Sequence, residues 1–116
     1  MIARLYTGAD GESHFEEIAP DFRKADRGFE RAPLERAEGV VFSRALAGHA
    51  VDWHPAPRRQ YVIGLSGEVE IGVGDGTRRR FGPGEGFRAE DLTGRGHTFR
   101  VVGDAPFVFA TIPLPG

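Results

Sequence analysis

The sequence predicts an all-β domain, and three observations support this fold class. Its 116 residues include 17 Gly and 8 Pro, a frequency that favours many short strands joined by turns over long helices. Apolar and polar residues alternate over several short segments, as they do in strands with one buried face. About eight to ten such strands at regular spacing indicate a β-sandwich or a closed barrel.

The bulk composition is that of one globular domain, residues 1–116. The length suits a single core, and a hydrophobic content of 40% is enough to fill it. No repeat, linker or low-complexity tract divides the chain. We expect N-terminal strands and a loop over residues 1–38, followed by a β-rich unit over residues 39–113.

The N-terminal part predicts two strands, at residues 2–6 and 13–18, on either side of a turn at residues 7–11. Residues 20–38 are charged and only weakly periodic, so they predict a surface loop or a short helix.

The remainder of the chain predicts strands in close succession. They cover residues 40–46, 58–65, 68–73, 77–81, 86–90, 97–102 and 106–112. Between the third and fourth of them, Asp75-Gly76 predicts a two-residue hairpin turn, because this dipeptide tolerates the positive φ angles of such turns.

Composition also excludes several functions. Cysteine is absent, which excludes disulfides and thiol catalysis, so a metal site must use imidazole, carboxylate, amide or water ligands. A net charge of −2 argues against a nucleic-acid partner. The sequence shows neither a signal-peptide pattern nor an apolar run of about 18 residues, so we expect a soluble, cytoplasmic protein with no membrane partner.

Two segments carry a resemblance to a known family. The run His54-Pro55-Ala56-Pro57-Arg58-Arg59-Gln60, followed by Tyr61-Val62-Ile63-Gly64-Leu65-Ser66-Gly67, resembles the first motif of the cupin superfamily. In that motif two histidines one residue apart precede a Glu and then a Gly. Here His54 and Gly67 match, Ala56 stands where the second histidine would be, and Gln60 replaces the Glu.

The second segment, Pro83-Gly84-Glu85 followed by His97, resembles the second cupin motif. Residues 90–97 are similar to those of short bacterial cupins with a Glu-Asp-x-Thr-Gly-x-Gly-His stretch, most of which have no assigned reaction. The resemblance covers about residues 39–113. It implies a double-stranded β-helix (jelly-roll, cupin) barrel, with N-terminal strands and a short irregular or helical segment added.

The resemblance further implies a divalent metal site at His54, Gln60 and His97, with Mn, Fe, Ni, Zn or Cu as the cofactor. If residues 54–64 form one regular strand, His54 and Gln60 share its inner face. Two imidazoles and an amide oxygen bind such ions weakly, and Asp91 is a candidate for an additional carboxylate or ligand-binding group. The alternative is that the histidines line the barrel in hydrogen bonds without a metal.

Arg58 is a second candidate ligand-binding residue, since an inward guanidinium binds carboxylates or phosphates. The alternative for Arg58 is an ion pair with Glu68 or Glu70 on a neighbouring strand.

Two functions follow from this site. One is an enzyme acting on a small polar molecule, as an isomerase or epimerase or as a metal-dependent oxygenase. The other is a non-catalytic module for a small ligand or for assembly.

The apolar face opposite Gln60 predicts a homodimer. Trp53, Tyr61, Ile63 and Leu65 fall on this face, and the N-terminal strand or a second subunit would cover it.

Overall fold

The computed structural model describes residues 2–116, and within this range all regular structure is β. Twelve strands follow one another in the order β1 (Ile2–Thr7), β2 (Ser13–Ile18), β3 (Arg23–Lys24), β4 (Glu30–Arg31), β5 (Val41–Ala45), β6 (Ala50–His54), β7 (Gln60–Ser66), β8 (Glu68–Gly72), β9 (Arg78–Phe81), β10 (Gly86–Glu90), β11 (His97–Val102) and β12 (Phe107–Pro113). The all-β class predicted from the sequence is therefore confirmed. The helical alternative for residues 20–38 is wrong, since that segment forms only the short β3–β4 pair.

The strands form two large sheets that face each other as an open barrel. A six-stranded sheet has the order β2-β1-β10-β7-β12-β5, and a four-stranded sheet has the order β6-β11-β8-β9. Strands β1 and β2 belong to the first sheet, so the N-terminal part extends the same sheet as the rest of the chain. Strands β5 and β6 are edge strands of different sheets, and both border one open side of the barrel.

Two local predictions need correction. Residues 50–54 form strand β6, which the sequence pattern does not reveal, because its first four residues are exposed. The turn after β8 is longer than two residues: Val73–Thr77 form a loop in which the Val73 amide donates to the Thr77 carbonyl and the Gly76 amide to that of Val73.

The core lies between the two sheets and is rich in aromatic side chains. Phe81 and Phe87 are about 1% exposed and their ring centroids are 5.1 Å apart, while Phe107 and Leu5 are fully buried. Because the aromatic residues come from both sheets, their packing fixes the distance between the sheets and hence the width of the barrel.

On the outside of the smaller sheet, Glu70 is buried by arginines. The register places Glu70 opposite Arg80 on β9 and Arg100 on β11, and Arg78 also reaches its carboxylate. Hydrogen bonds to these arginines outweigh the effect of desolvation and lower the pKa of Glu70. Arg78 and Arg80 are thus paired with Glu70 across neighbouring strands and do not form a free basic patch.

A second carboxylate, Glu90, ties three parts of the larger sheet together. It accepts hydrogen bonds from Arg4 on β1, Arg88 on β10 and Arg59 ahead of β7, at 2.8–2.9 Å. Although its partial burial opposes ionisation, these three guanidinium groups lower the pKa of Glu90 to about 2.

We expect Glu90→Gln to destabilise the protein at neutral pH and to have much less effect in acid. The folded pKa of about 2 lies below the ordinary glutamate pKa of 4.5, so the contribution of Glu90 is complete above pH 4.5 and is lost as the pH falls towards 2. The shift corresponds to at most about 3 kcal/mol, and screening by solvent reduces this.

Urea unfolding of wild type and Glu90→Gln at pH 7, 4.5 and 2.5 tests this expectation. The matched control is Glu16→Gln, which removes an exposed carboxylate 3.7 Å from Arg4 and should change the free energy of unfolding by less than about 1 kcal/mol. A difference between wild type and Glu90→Gln that stays constant with pH would contradict the expectation.

Residues 2–116 contain no helix that is long and apolar enough to cross a membrane.

Candidate functional site

A small cavity lies inside the barrel, between the two sheets. Its volume is about 110 Å³, which is room for on the order of three or four water molecules. Both sheets contribute to its walls, which comprise His54, Ala56, Pro57, Gln60, Val62, Phe87, Ala89, His97, Phe99, Phe109 and Thr111. Among the described residues, none of those that line it is Arg, Lys, Asp or Glu, so the cavity favours a neutral polar ligand.

Two histidines lie side by side in this cavity. His54 ends β6 and His97 begins β11, and the two are register partners in the antiparallel β6–β11 pair. Side chains of such partners lie on the same face of a sheet, which explains why the ring centroids are only 4.5 Å apart. His97 is 5% exposed.

Each imidazole is anchored through Nδ1. His54 Nδ1 lies 2.7 Å from the backbone carbonyl oxygen of Asp52 and His97 Nδ1 lies 2.6 Å from Asp91 Oδ2. Because a carbonyl and a carboxylate only accept, both histidines carry a hydrogen on Nδ1. In the neutral form of each ring, Nε2 is then the hydrogen-bond acceptor.

Behind His97 lies a buried polar network. Asp91 follows the end of β10 and is fully buried, as is Ser13 at the start of β2. The Ser13 hydroxyl donates to Asp91 Oδ2 at 2.7 Å, and the Asp91 carbonyl accepts from the Ala56 amide at 2.9 Å. Asp91 Oδ1 has no hydrogen-bond partner among the described residues. A buried carboxylate with a free oxygen is costly, and such exceptions concentrate at functional sites.

Gln60 reaches the cavity from the opposite sheet. It begins β7, whereas His54 belongs to β6 in the smaller sheet, so the condition that residues 54–64 form one regular strand is not met. The two side chains still line the same cavity, because the sheets face each other. Gln60 Oε1 accepts a hydrogen bond from Arg58 Nε at 3.2 Å.

The other two candidate ligand-binding residues lie outside the cavity lining. Arg58 is exposed on the connection between β6 and β7, and its guanidinium contacts Gln60 rather than Glu68 or Glu70. Asp91 lies behind His97, and its Oδ2 is already used by His97 and Ser13. Whether either residue binds a ligand stays a prediction.

The cavity meets only part of the requirement for a metal. Two imidazoles anchored through Nδ1 are suitable donors, but the third donor is a neutral amide whose oxygen is engaged by Arg58. No group of three or more His, Cys, Asp or Glu side chains placed for an ion occurs within residues 2–116. Catalytic zinc sites typically use three protein ligands, so the donor set falls short and we assign no step to a metal.

A wider groove adjoins the cavity on the open side of the barrel, between β5 and β6. It has a volume of about 430 Å³ and shares His54, Phe99 and Phe109 with the cavity. Its remaining lining includes Arg44 and His49. An anionic group of a larger ligand would therefore meet the cationic side chain of Arg44 here. We refer to it as the β5–β6 groove.

Sequence reasoning missed Ser13 and the aromatic walls of the cavity. Ser13 and Phe15 lie on the same face of β2, and Phe15 packs against the core. The sequence of β2 therefore indicates that Ser13 points inward. Its partner Asp91 is 78 residues away and is joined to it only by the fold. His14, the neighbour of Ser13, pairs with Asp10 at the surface.

Comparison with known proteins gives structural neighbours only. No family model matches the sequence, and no curated protein matches it. A cupin 2 conserved barrel domain protein from Salinispora arenicola superposes with a TM-score of 0.54 at 19% identity, covering 85% of this chain and 92% of that one. An uncharacterised double-stranded β-helix protein from Klebsiella pneumoniae gives 0.52 at 24% identity, covering 81% and 83%.

A third neighbour is dTDP-6-deoxy-D-glucose-3,5-epimerase from Legionella pneumophila, solved in complex with dTDP-4-keto-L-rhamnose. Its TM-score is 0.50 at 17% identity, covering 95% of this chain and 70% of that one. At these identities the likeness establishes architecture and not activity. The strand order, the barrel core and these neighbours together show that the chain has the double-stranded β-helix fold of the cupins.

Proposed function

We propose that the barrel binds a small polar molecule at His54 and His97, and that His97 accepts a proton from it. The observation that carries this proposal is the 2.6 Å hydrogen bond between buried Asp91 and His97 Nδ1. This contact orients the ring and stabilises the imidazolium that forms when Nε2 takes up a proton. The same arrangement makes histidine a general base in many enzymes.

The chemistry suited to this site is proton transfer of the isomerase or epimerase type. His97 would remove a proton from a hydroxyl, or from a carbon beside a carbonyl, and return it to the same molecule. The cavity has no charged lining among the described residues, which strengthens the hydrogen bonds made there. The occurrence of an epimerase among the structural neighbours supports a reaction of this type.

We expect small hydroxy and keto compounds to raise the melting temperature of the wild type through contact with His97. Dihydroxyacetone and acetoin are neutral carbonyl compounds that match the cavity in size, and they are suitable probes for a thermal-shift screen. A compound that binds in the cavity should lose its effect in His97→Gln and His54→Gln. The matched control is His14→Gln, which removes a surface histidine and should leave the shift unchanged.

Proton exchange then separates the two functions. For each compound that binds, NMR in deuterated water follows exchange of the C–H beside its carbonyl. Exchange in wild type that stops in His97→Gln supports an enzyme, whereas binding without exchange supports the non-catalytic binding module. If no compound shows binding that depends on His97, the proposal is wrong.

A divalent-metal form of the same site is the second candidate. The observation that favours it is the anchoring of both imidazoles through Nδ1, as in metal-binding histidines. His54 and His97 would hold the ion, and Gln60 would join them only after releasing Arg58. Elemental analysis of protein purified without an affinity tag or chelator tests this. Stoichiometric metal that is lost in His97→Gln supports it, and metal-free wild type excludes it.

A further inference from the structure

A second cavity lies on the outer face of the six-stranded sheet, where residues 20–35 cross it. Its volume is about 570 Å³, within the range of small-molecule sites. Ile18, Ile63 and Ile112 line it from the sheet, and Phe22 and Pro33 line it from the crossing segment. It shares no lining residue with the histidine cavity, because adjacent residues of β7, β10 and β12 point to opposite faces of the sheet.

One end of this cavity is polar and already holds a carboxylate from the chain itself. The Tyr61 hydroxyl contacts both Glu35 carboxylate oxygens, at 2.6 and 2.9 Å. Arg88 Nη1 donates to the Tyr61 oxygen at 3.4 Å, which places a positive charge beside the pair. Burial and the hydrogen bond to Glu35 raise the pKa of Tyr61, so its hydroxyl remains a donor at neutral pH.

Glu35 is held on a segment with little other support. It lies between β4 and β5, where the chain has no regular structure, and the neighbouring Leu34 is 97% exposed. The backbone contact of this stretch with the sheet is the Glu38 amide, which donates to the Pro113 carbonyl at 2.8 Å. Because few contacts hold it, Glu35 can leave Tyr61 at small cost.

We propose that this cavity binds a monocarboxylate with an apolar tail. The carboxylate of the ligand replaces that of Glu35 at the Tyr61 hydroxyl, which Arg88 contacts, and the tail lies against the isoleucines and Phe22. The chain's own Glu35 favours this occupant, since it already places a carboxylate on the Tyr61 hydroxyl at this end of the cavity. The apolar walls favour a tail that is hydrocarbon rather than polar.

Calorimetric titration of the full chain with octanoate tests the site, and the tail and headgroup are varied separately. Each methylene added from butanoate to octanoate should tighten binding about threefold to fourfold, as expected for burial of a CH₂ group. 1-Octanol has the same tail without the carboxylate and should bind much more weakly. Equal binding of octanol and octanoate would show that the carboxylate is not recognised and would overturn the proposal.

Variants test the exchange with Glu35. Glu35→Gln removes the internal competitor and should tighten octanoate binding by up to about tenfold, because the free form of the cavity becomes the main population. Tyr61→Phe and Arg88→Gln should each weaken it about tenfold or more. Arg80→Gln, which replaces an exposed arginine on β9 of the other sheet, is the matched control and should bind as wild type does.

Two results would contradict the inference even if Arg88→Gln fails to fold. The first is unchanged or weaker octanoate binding in Glu35→Gln. The second is absence of octanoate binding in wild type, whatever its mass by light scattering. His97→Gln should bind octanoate as wild type does, so this test is independent of the proposed function.

Discussion

Replacing Gly96 with Ala is expected to destabilise the protein by about 3 kcal/mol or more and to disrupt the histidine pair. A Cβ at this position would lie 1.9 Å from the His54 carbonyl oxygen, 2.1 Å from the His54 carbonyl carbon and 2.4 Å from the Pro55 nitrogen. These are backbone atoms, which cannot move without separating β6 from β11. Gly96 also has a φ of +80°, which disfavours any side chain.

Gly76→Ala is the matched control for this substitution. Gly76 has a φ of +91°, but a Cβ there would meet no atom within 4 Å, so only the conformational penalty of about 1–2 kcal/mol remains. Urea unfolding followed by the fluorescence of Trp53, the single tryptophan and the residue before His54, measures both variants. Equal losses of stability in the two would show that the close approach of β6 and β11 at Gly96 is unimportant.

Asp91→Ala is expected to have the second large effect, again about 3 kcal/mol or more. The substitution leaves the Ser13 hydroxyl and His97 Nδ1–H without an acceptor in a fully buried place. It also removes the contact that orients His97, so compounds bound through this histidine should no longer raise the melting temperature.

Ser13→Ala and Asp91→Asn separate the parts of this effect. Ser13→Ala removes one donor and should cost only about 1 kcal/mol. Asp91→Asn keeps one acceptor oxygen, so its stability should lie between those of wild type and Asp91→Ala. Thermal unfolding gives the stabilities, and ¹⁵N NMR of the His97 ring reports whether Nδ1 keeps its hydrogen. An Asp91→Ala variant within about 1 kcal/mol of wild type would contradict the role given to Asp91.

The strands that are buried on one face were predictable from their own residues. Val69 and Ile71 alternate with charged neighbours, and burial of the apolar set against the other sheet is what selects strand β8. Strand β6 carries no such signal. Because it lies at the edge of a sheet, four of its five residues are exposed, and no alternation records its presence.

The histidines of the site were predictable as candidates, but their environment was not. His54 and His97 face each other through the β6–β11 register, which joins distant parts of the chain. His54 and Gln60 reach the cavity from opposing sheets, which their spacing along the chain does not reveal. Asp91 looked like a cavity group by strand parity, yet it lies behind His97 and orients it.

By itself, the sequence determined that this chain is β-rich, where most of its strands and turns lie, and which two histidines to examine. Those features follow from local alternation and from residues that restrict the backbone. Only the tertiary structure decided that Ser13, Asp91 and His97 form one network, and that Glu35 closes a second cavity at Tyr61. Hydrogen bonds between segments so far apart depend on strand order and sheet packing, which no local pattern records.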